Sequence, residues 1–291
     1  MGAQYDVLCY GAISLDVSGR VETPWSAGEH HSASDYRLSP GGDATLVALT
    51  LAGLGMRVAL AGGPIGDDPP GDYLRDILTS AGIGLYVDTR GKTSISAVAV
   101  TPSGERSSIT YHEATPVEQI PVPVDLVPRV RYVYADGCYR GNDAVAGAAA
   151  KEAGVPALLN LDGPELDAAG LFDAVVASAT VARLISPDPL AAAETIRARG
   201  AGLAIVTMGE RGCICSDGGL LAVPAYRVEA VDTTGAGAAF TAGFLYARLQ
   251  DFNILDSLRI ASAAGAYKCL ARGSYRQFDA KALFDFIGSV E

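Results

Sequence analysis

The run Val231-Asp232-Thr233-Thr234-Gly235-Ala236-Gly237-Ala238-Ala239-Phe240 has residue types and spacing suited to holding an anion. Thr233 and Thr234 can cap a helix, and glycines at 235 and 237 allow close approach to the backbone. Ala236, Ala239, Phe240, Gly243, Phe244 and Ala247 follow at helical spacing, which predicts a helix beginning at about Gly235. The first N–H groups of a helix are unpaired and carry partial positive charge. A phosphoryl group in transfer is an obvious ligand for such an end. On its own, a Gly-x-Gly before a helix serves tight helix packing just as well. Two other nucleotide motifs are missing. A dinucleotide fingerprint needs glycine where Phe240 stands. A P-loop needs glycine five residues before Gly91-Lys92-Thr93, where the chain has Tyr86.

The elements that must position this stretch are legible as an alternation. Val7–Tyr10, Arg57–Ala61, Tyr132–Ala135, Ala157–Leu159 and Leu203–Thr207 read as strands. Helices are expected over Asp43–Leu54, Asp72–Ala81, Asp143–Ala153 and Leu190–Arg199. Strands alternating with helices predict a mostly parallel sheet covered on both faces. Two stretches break the rhythm. Val17–Leu38 is polar, and Thr93–Tyr111 alternates Ile95, Ala97, Ala99 with a turn at Ser103-Gly104, the pattern of a β-hairpin. Antiparallel strands inside such a chain predict a small separate sheet, a lid over a cleft, or else an addition to the edge of the main sheet. The expectation is one α/β domain over residues 1–291, with the lid drawn from about 12–38 and 92–112.

Composition narrows the function. The chain has 291 residues, 49 % of them hydrophobic, enough for a sizeable core. A net charge of −11 argues against nucleic acid as a partner. The apolar stretch Leu46–Ala61 is interrupted by Arg57 and reads as helix, turn and strand, not as a membrane span. The N-terminus shows no basic region of a signal peptide. Five scattered cysteines and three histidines make no zinc spacing, so reduced thiols and a cytoplasmic location are expected, with Cys213 and Cys215 on one face of a strand.

Asp-Thr-Thr-Gly-Ala-Gly followed by Ala-Phe-Thr-Ala-Gly-Phe resembles the C-terminal signature of the ribokinase-like (PfkB) carbohydrate kinase family. Other blocks match in order. They are Gly11–Asp16, Pro40-Gly41-Gly42-Asp43-Ala44, Leu54-Gly55 with Gly63–Asp67, and Thr207-Met208-Gly209-Glu210-Arg211-Gly212. The resemblance implies a ribokinase-like three-layer α/β/α fold with a small β-sheet lid. It implies MgATP near Thr207, Gly209, Gly212, Thr233, Gly235, Gly237 and Gly273. The acceptor sugar is expected near Asp16, Gly41, Gly42 and Asp43, where a carboxylate accepts hydrogen bonds from two sugar hydroxyls. It further implies an anion hole from the N–H groups of Gly235, Ala236 and Gly237. Asp232 and Thr234 match a loop that binds a monovalent cation such as K+ in some members.

Two positions depart from the family pattern. The aspartate that takes the acceptor's proton is Ala238 here, and a methyl group accepts no proton. General-base help is worth ~10²–10⁴ in rate, so severely reduced activity with ligand binding retained is expected. The alanine fits either an introduced substitution that traps ligands or natural divergence to a pseudokinase. The family's Asn-x-x-Glu pair, which helps organise magnesium, aligns with Ser178 and Val181, so magnesium would be held through phosphates and water. The expected parent activity is ATP-dependent phosphorylation of a hydroxymethyl group on a sugar, sugar acid or nucleoside. Arg106 could meet an anionic substrate group, and Trp25, Tyr36 or Tyr111 could stack on a nucleoside base. Exposed lid edges would favour a homodimer through the lid.

Overall fold

The structure, a computed structural model, describes residues 3–23, 26, 28, 30–101, 106–112 and 120–290, with the side chain of Arg106 excepted. The expected hairpin turn at Ser103-Gly104 and Trp25 lie outside the described residues.

Hydrophobic runs at the predicted positions form a nine-stranded sheet. Its strands are β1 (Tyr5–Gly11), β4 (Val58–Gly62), β5 (Gly84–Val87), β8 (Val130–Ala135), β9 (Ala157–Leu161), β10 (Ala174–Ser178), β11 (Leu203–Thr207), β12 (Cys213–Ser216) and β13 (Leu220–Val223). Their order is β13-β12-β11-β10-β9-β8-β1-β4-β5. Pairing is parallel from β5 through β11, and β12 and β13 close that edge antiparallel. Both faces of the central strands are buried, which is why they read as unbroken apolar runs and not as alternation. Val7, Cys9, Tyr132 and Tyr134 point into one core with helices α1 (Asp43–Gly53), α6 (Ala236–Leu249) and α7 (Ile254–Cys269). Leu8, Tyr10, Val133 and Ala135 point into the other, with α3 (Arg140–Ala153) and α5 (Pro189–Ala198). The remaining helices are α2 (Pro69–Ser80), α4 (Ala179–Ile185) and α8 (Ala280–Val290). This is the three-layer arrangement expected, and Cys213 and Cys215 are both buried on β12.

The four-stranded small sheet has the order β3-β2-β6-β7, from β2 (Ser14–Arg20), β3 (Ser34–Gly41), β6 (Ser94–Val100) and β7 (Arg106–Tyr111). It is a separate sheet, not an extension of the main one. The polar stretch Val17–Leu38 therefore contains two strands. Its polarity hid them because one face looks into a cleft and the other into solvent. The helix expected from Asp72 starts three residues earlier. Asp68 caps it by accepting from the Gly71 N–H, and Pro69 and Pro70 occupy the first turn, where a missing N–H costs nothing.

Candidate active site

A cleft of about 1000 Å³ opens between the small sheet and the carboxyl ends of the central strands. That is where open α/β sheets place ligands. Its wall is built from three directions. The turn after β1 and strand β2 bring Ala12, Ser14 and Asp16, the junction of β3 with α1 brings Gly42 and Asp43, and the start of α6 brings Thr234 and Gly235.

Asp16 sits half-buried on β2, paired with Ser96 of β6 and Ser39 of β3. The Ser14 hydroxyl donates to its Oδ1 at 3.2 Å. Burial pushes its carboxyl up, hydrogen bonds from Ser14, Ser96 and Ser274 pull it down, and the Asp43 charge raises it further, with a net upward result. Gly41 makes this placement possible, because a Cβ there would lie 1.9 Å from Asp16 Oδ1. Gly41 itself supports the cleft without lining it. On β6 and β7 the cleft face carries Ser94, Ser96, Ser108 and Thr110, with Lys92 and His112 at the ends. The wall is thus rich in hydroxyls and also carries one lysine and one histidine.

Asp136, which no sequence motif marks, lies directly behind this wall. It follows β8 and is 4 % exposed. Its Oδ2 accepts the N–H groups of Ala12 (2.6 Å) and Ala44 (3.2 Å), and its Oδ1 accepts that of Cys138 (3.0 Å). One carboxyl group therefore ties together the turn after β1, the first turn of α1 and the loop after β8. Burial and the nearby Asp43 charge push its carboxyl up to about 8, against the pull of the Ala12 and Cys138 amides. The available signal was a carboxylate following the buried strand Tyr132–Ala135, at the strand end where ligands gather.

The start of α6 has the form the glycines predict. Gly235 is the N-cap, with φ 77°. A Cβ there would lie 1.9 Å from the Ser274 carbonyl oxygen, so only glycine fits without a shift. The Ala236 N–H donates to the Thr233 carbonyl at 3.2 Å, so the expected three-amide anion hole is one donor short. The N–H groups of Gly235 and Gly237 have no partner among the described residues, and the space beside Gly237 is open. Ala238 lies in the first turn, 3 % exposed, and packs with the core of α1, α6 and α7.

The remaining predicted residues divide into groups. Asp232, Thr233 and Gly273 line a second cavity beside the small sheet, next to the α6 end. Asp232 accepts the Thr234 N–H on Oδ1 and the Gly273 N–H on Oδ2, each at 2.9 Å. Burial works to raise its carboxyl, but these bonds and the Lys268 charge prevail and hold it below the ordinary value. Thr207, Gly209 and Gly212 lie at the carboxyl end of β11, outside the cleft and four strands from β1. Ser178 ends β10 and caps α4 by accepting the Val181 N–H, so neither position offers a carboxylate or amide side chain to a metal. Arg106 begins β7 opposite Val100. Tyr36 and Tyr111 do not enter the cleft. Thr110 faces it, so Tyr111 points to the other side, and the two tyrosines are 73 % and 60 % exposed.

The arrangement resembles known proteins over its whole length. An ATP-dependent ribose-1-phosphate kinase from Halopiger xanaduensis is 29 % identical, with 97 % of each chain covered. The structure of Arabidopsis thaliana ribokinase complexed with ribose and ATP superposes with a TM-score of 0.83 at 20 % identity, covering 99 % of both chains. Adenosine kinase from Sinorhizobium meliloti gives 0.83 at 24 % identity, covering 99 % of this chain and 100 % of that one. The profile described as pfkB family carbohydrate kinase matches residues 4–281. The chain belongs to the pfkB family of carbohydrate kinases, with the ribokinase-like fold.

Proposed function

We propose that the cleft seats a sugar or sugar-like acceptor against Asp16 and Asp43, with the γ-phosphate of ATP at the start of α6. The observation that carries this reading is that Asp16, Asp43, Thr234 and Gly235 line one cleft although they lie far apart in sequence. A hydroxyl held by the two carboxylates would face the phosphate bound by the Gly235 and Gly237 N–H groups. Transfer would be in line, and the amides would stabilise charge on the moving group. The carboxyl edge from β11 to α6, with Thr207, Gly209, Gly212 and Gly273 along it, would hold the rest of the nucleotide. Magnesium would be carried on the nucleotide's phosphates, since no three metal-ligating side chains converge among the described residues. The small sheet would act as a lid that excludes water.

With alanine at 238 the chain would bind both ligands and transfer slowly. Replacing Ala238→Asp tests this. ATP consumption is followed across a panel of free sugars, sugar acids, nucleosides and phosphorylated sugars. The last group is included because Lys92 and His112 line the cleft. The reading expects turnover of at least one acceptor, 10²- to 10⁴-fold above the parent chain. A folded Ala238→Asp variant that turns over none of them, with no acceptor raising the melting temperature of either protein, would leave the kinase reading without support. A chain that binds but cannot be restored would instead be a pseudokinase.

A further inference from the structure

We infer that the ammonium group of Lys268 does the work of a monovalent cation beside the phosphate-binding end of α6, so that this chain needs none from solution. The inference rests on the reading of that end as the phosphate site. The family resemblance directs K+ to Asp232 and Thr234, and the residues present do not fit it. All three oxygens that Asp232 would offer already have donors. Lys268 Nζ donates to its carbonyl oxygen at 2.9 Å, the Thr234 N–H to Oδ1 at 2.9 Å, and the Gly273 N–H to Oδ2 at 2.9 Å. The Thr234 hydroxyl also turns to the same carboxylate. A second cation held on these oxygens would sit against an ammonium a few ångström away, with little solvent between them to screen the repulsion.

Lys268 is placed to replace it. It is 2 % exposed, and a buried ammonium persists only where polar partners compensate its lost hydration. It stands in the last turn of α7, where the helix dipole favours positive charge. The same helix end holds the loop directly, because the Cys269 carbonyl accepts the N–H groups of Val231 and Asp232. A fixed positive charge is therefore built into the loop that leads to Thr234 and Gly235. It steadies the carbonyl and carboxylate of Asp232, which in turn orient the Thr234 and Gly273 amides. Lys268 is thus a positioning residue, removed from the reacting atoms.

The test compares potassium chloride with tetramethylammonium chloride at equal ionic strength. The first readout is the melting temperature of the ligand-free protein, and the second is the dissociation constant of a non-hydrolysable ATP analogue. The parent chain is expected to give the same melting temperature in both salts and dissociation constants within twofold. A rise in melting temperature, or tighter nucleotide binding, specific to potassium would overturn the inference. In tetramethylammonium, Lys268→Met is expected to bind the analogue at least tenfold more weakly. Unchanged affinity in a folded Met variant would also overturn it. The parent measurements stand whether or not that variant folds. If no nucleotide binds in either salt, the kinase reading fails, while the melting temperatures still decide the role of Lys268.

Discussion

Asp136→Asn isolates a single proton. The folded carboxyl keeps that proton up to about pH 8, whereas an unfolded aspartate releases it near its ordinary 3.8. Between those values the folded chain binds one proton more than the unfolded chain, so stability falls as pH rises, by ~1.4 kcal/mol per pH unit. From about pH 5 to about pH 7 the loss from this group is about 3 kcal/mol, and over its whole range about 6 kcal/mol. Asparagine keeps an oxygen for the Ala12 and Ala44 amides but turns an N–H₂ towards the Cys138 N–H. That costs ~1–3 kcal/mol at every pH. The variant should therefore be the less stable protein at pH 5, and the gap should close or reverse by pH 7. Urea unfolding at half-unit pH steps gives both curves. Asp143, also pushed up to about 6 by burial, and Asp16 titrate in both proteins and largely cancel in the difference. Parallel curves would refute the argument, because they would mean that Asp136 is already ionised at pH 5.

Three further outcomes follow from the geometry. Asp16→Asn removes the charge proposed to meet acceptor hydroxyls, and loss of a charge-assisted hydrogen bond worth ~1.5–3 kcal/mol should weaken acceptor binding 10- to 100-fold in calorimetry. An unaltered affinity would move the acceptor elsewhere. Gly235→Ala forces a side chain onto φ 77° and against the Ser274 carbonyl, at a cost of at least ~1–2 kcal/mol. Nucleotide binding should fall with stability in this variant, and a Gly235→Ala protein with parental affinity for the ATP analogue would exclude the α6 end as the phosphate site. The outer face of the small sheet exposes Tyr36, Leu38, Ile109 and Tyr111. If two copies pair through it, Leu38→Glu should convert a dimer to a monomer in light scattering; a parent chain monomeric at all concentrations contradicts the dimer.

The central strands are legible because burial on both faces writes them as short apolar runs between Ala-rich helices. Leu203–Thr207 matches the expected strand to the residue. The start of α6 is legible because its glycines are required by geometry, Gly235 by its positive φ and its neighbour Ser274. The edge strands β5 and β13 are not, being four residues each and only half covered. The outward direction of Tyr36 and Tyr111 is not legible either, because strand parity alone does not say which side of a small sheet looks inward. No motif marks Asp136 or Lys268, for a related reason. Each acts by receiving or filling backbone groups brought together from distant segments, and no local spacing records that.

Only Gly42 separates strand β3 from helix α1, and α1 packs along α6. The Ser274 hydroxyl, meanwhile, donates to the carbonyl of Pro40 on β3. This leaves no slack between the sheet proposed to grip an acceptor and the helix proposed to receive a phosphate. A tilt of the one must be felt as torque on the other, so a snugly seated acceptor would announce itself at the far side of the cleft through the skeleton alone.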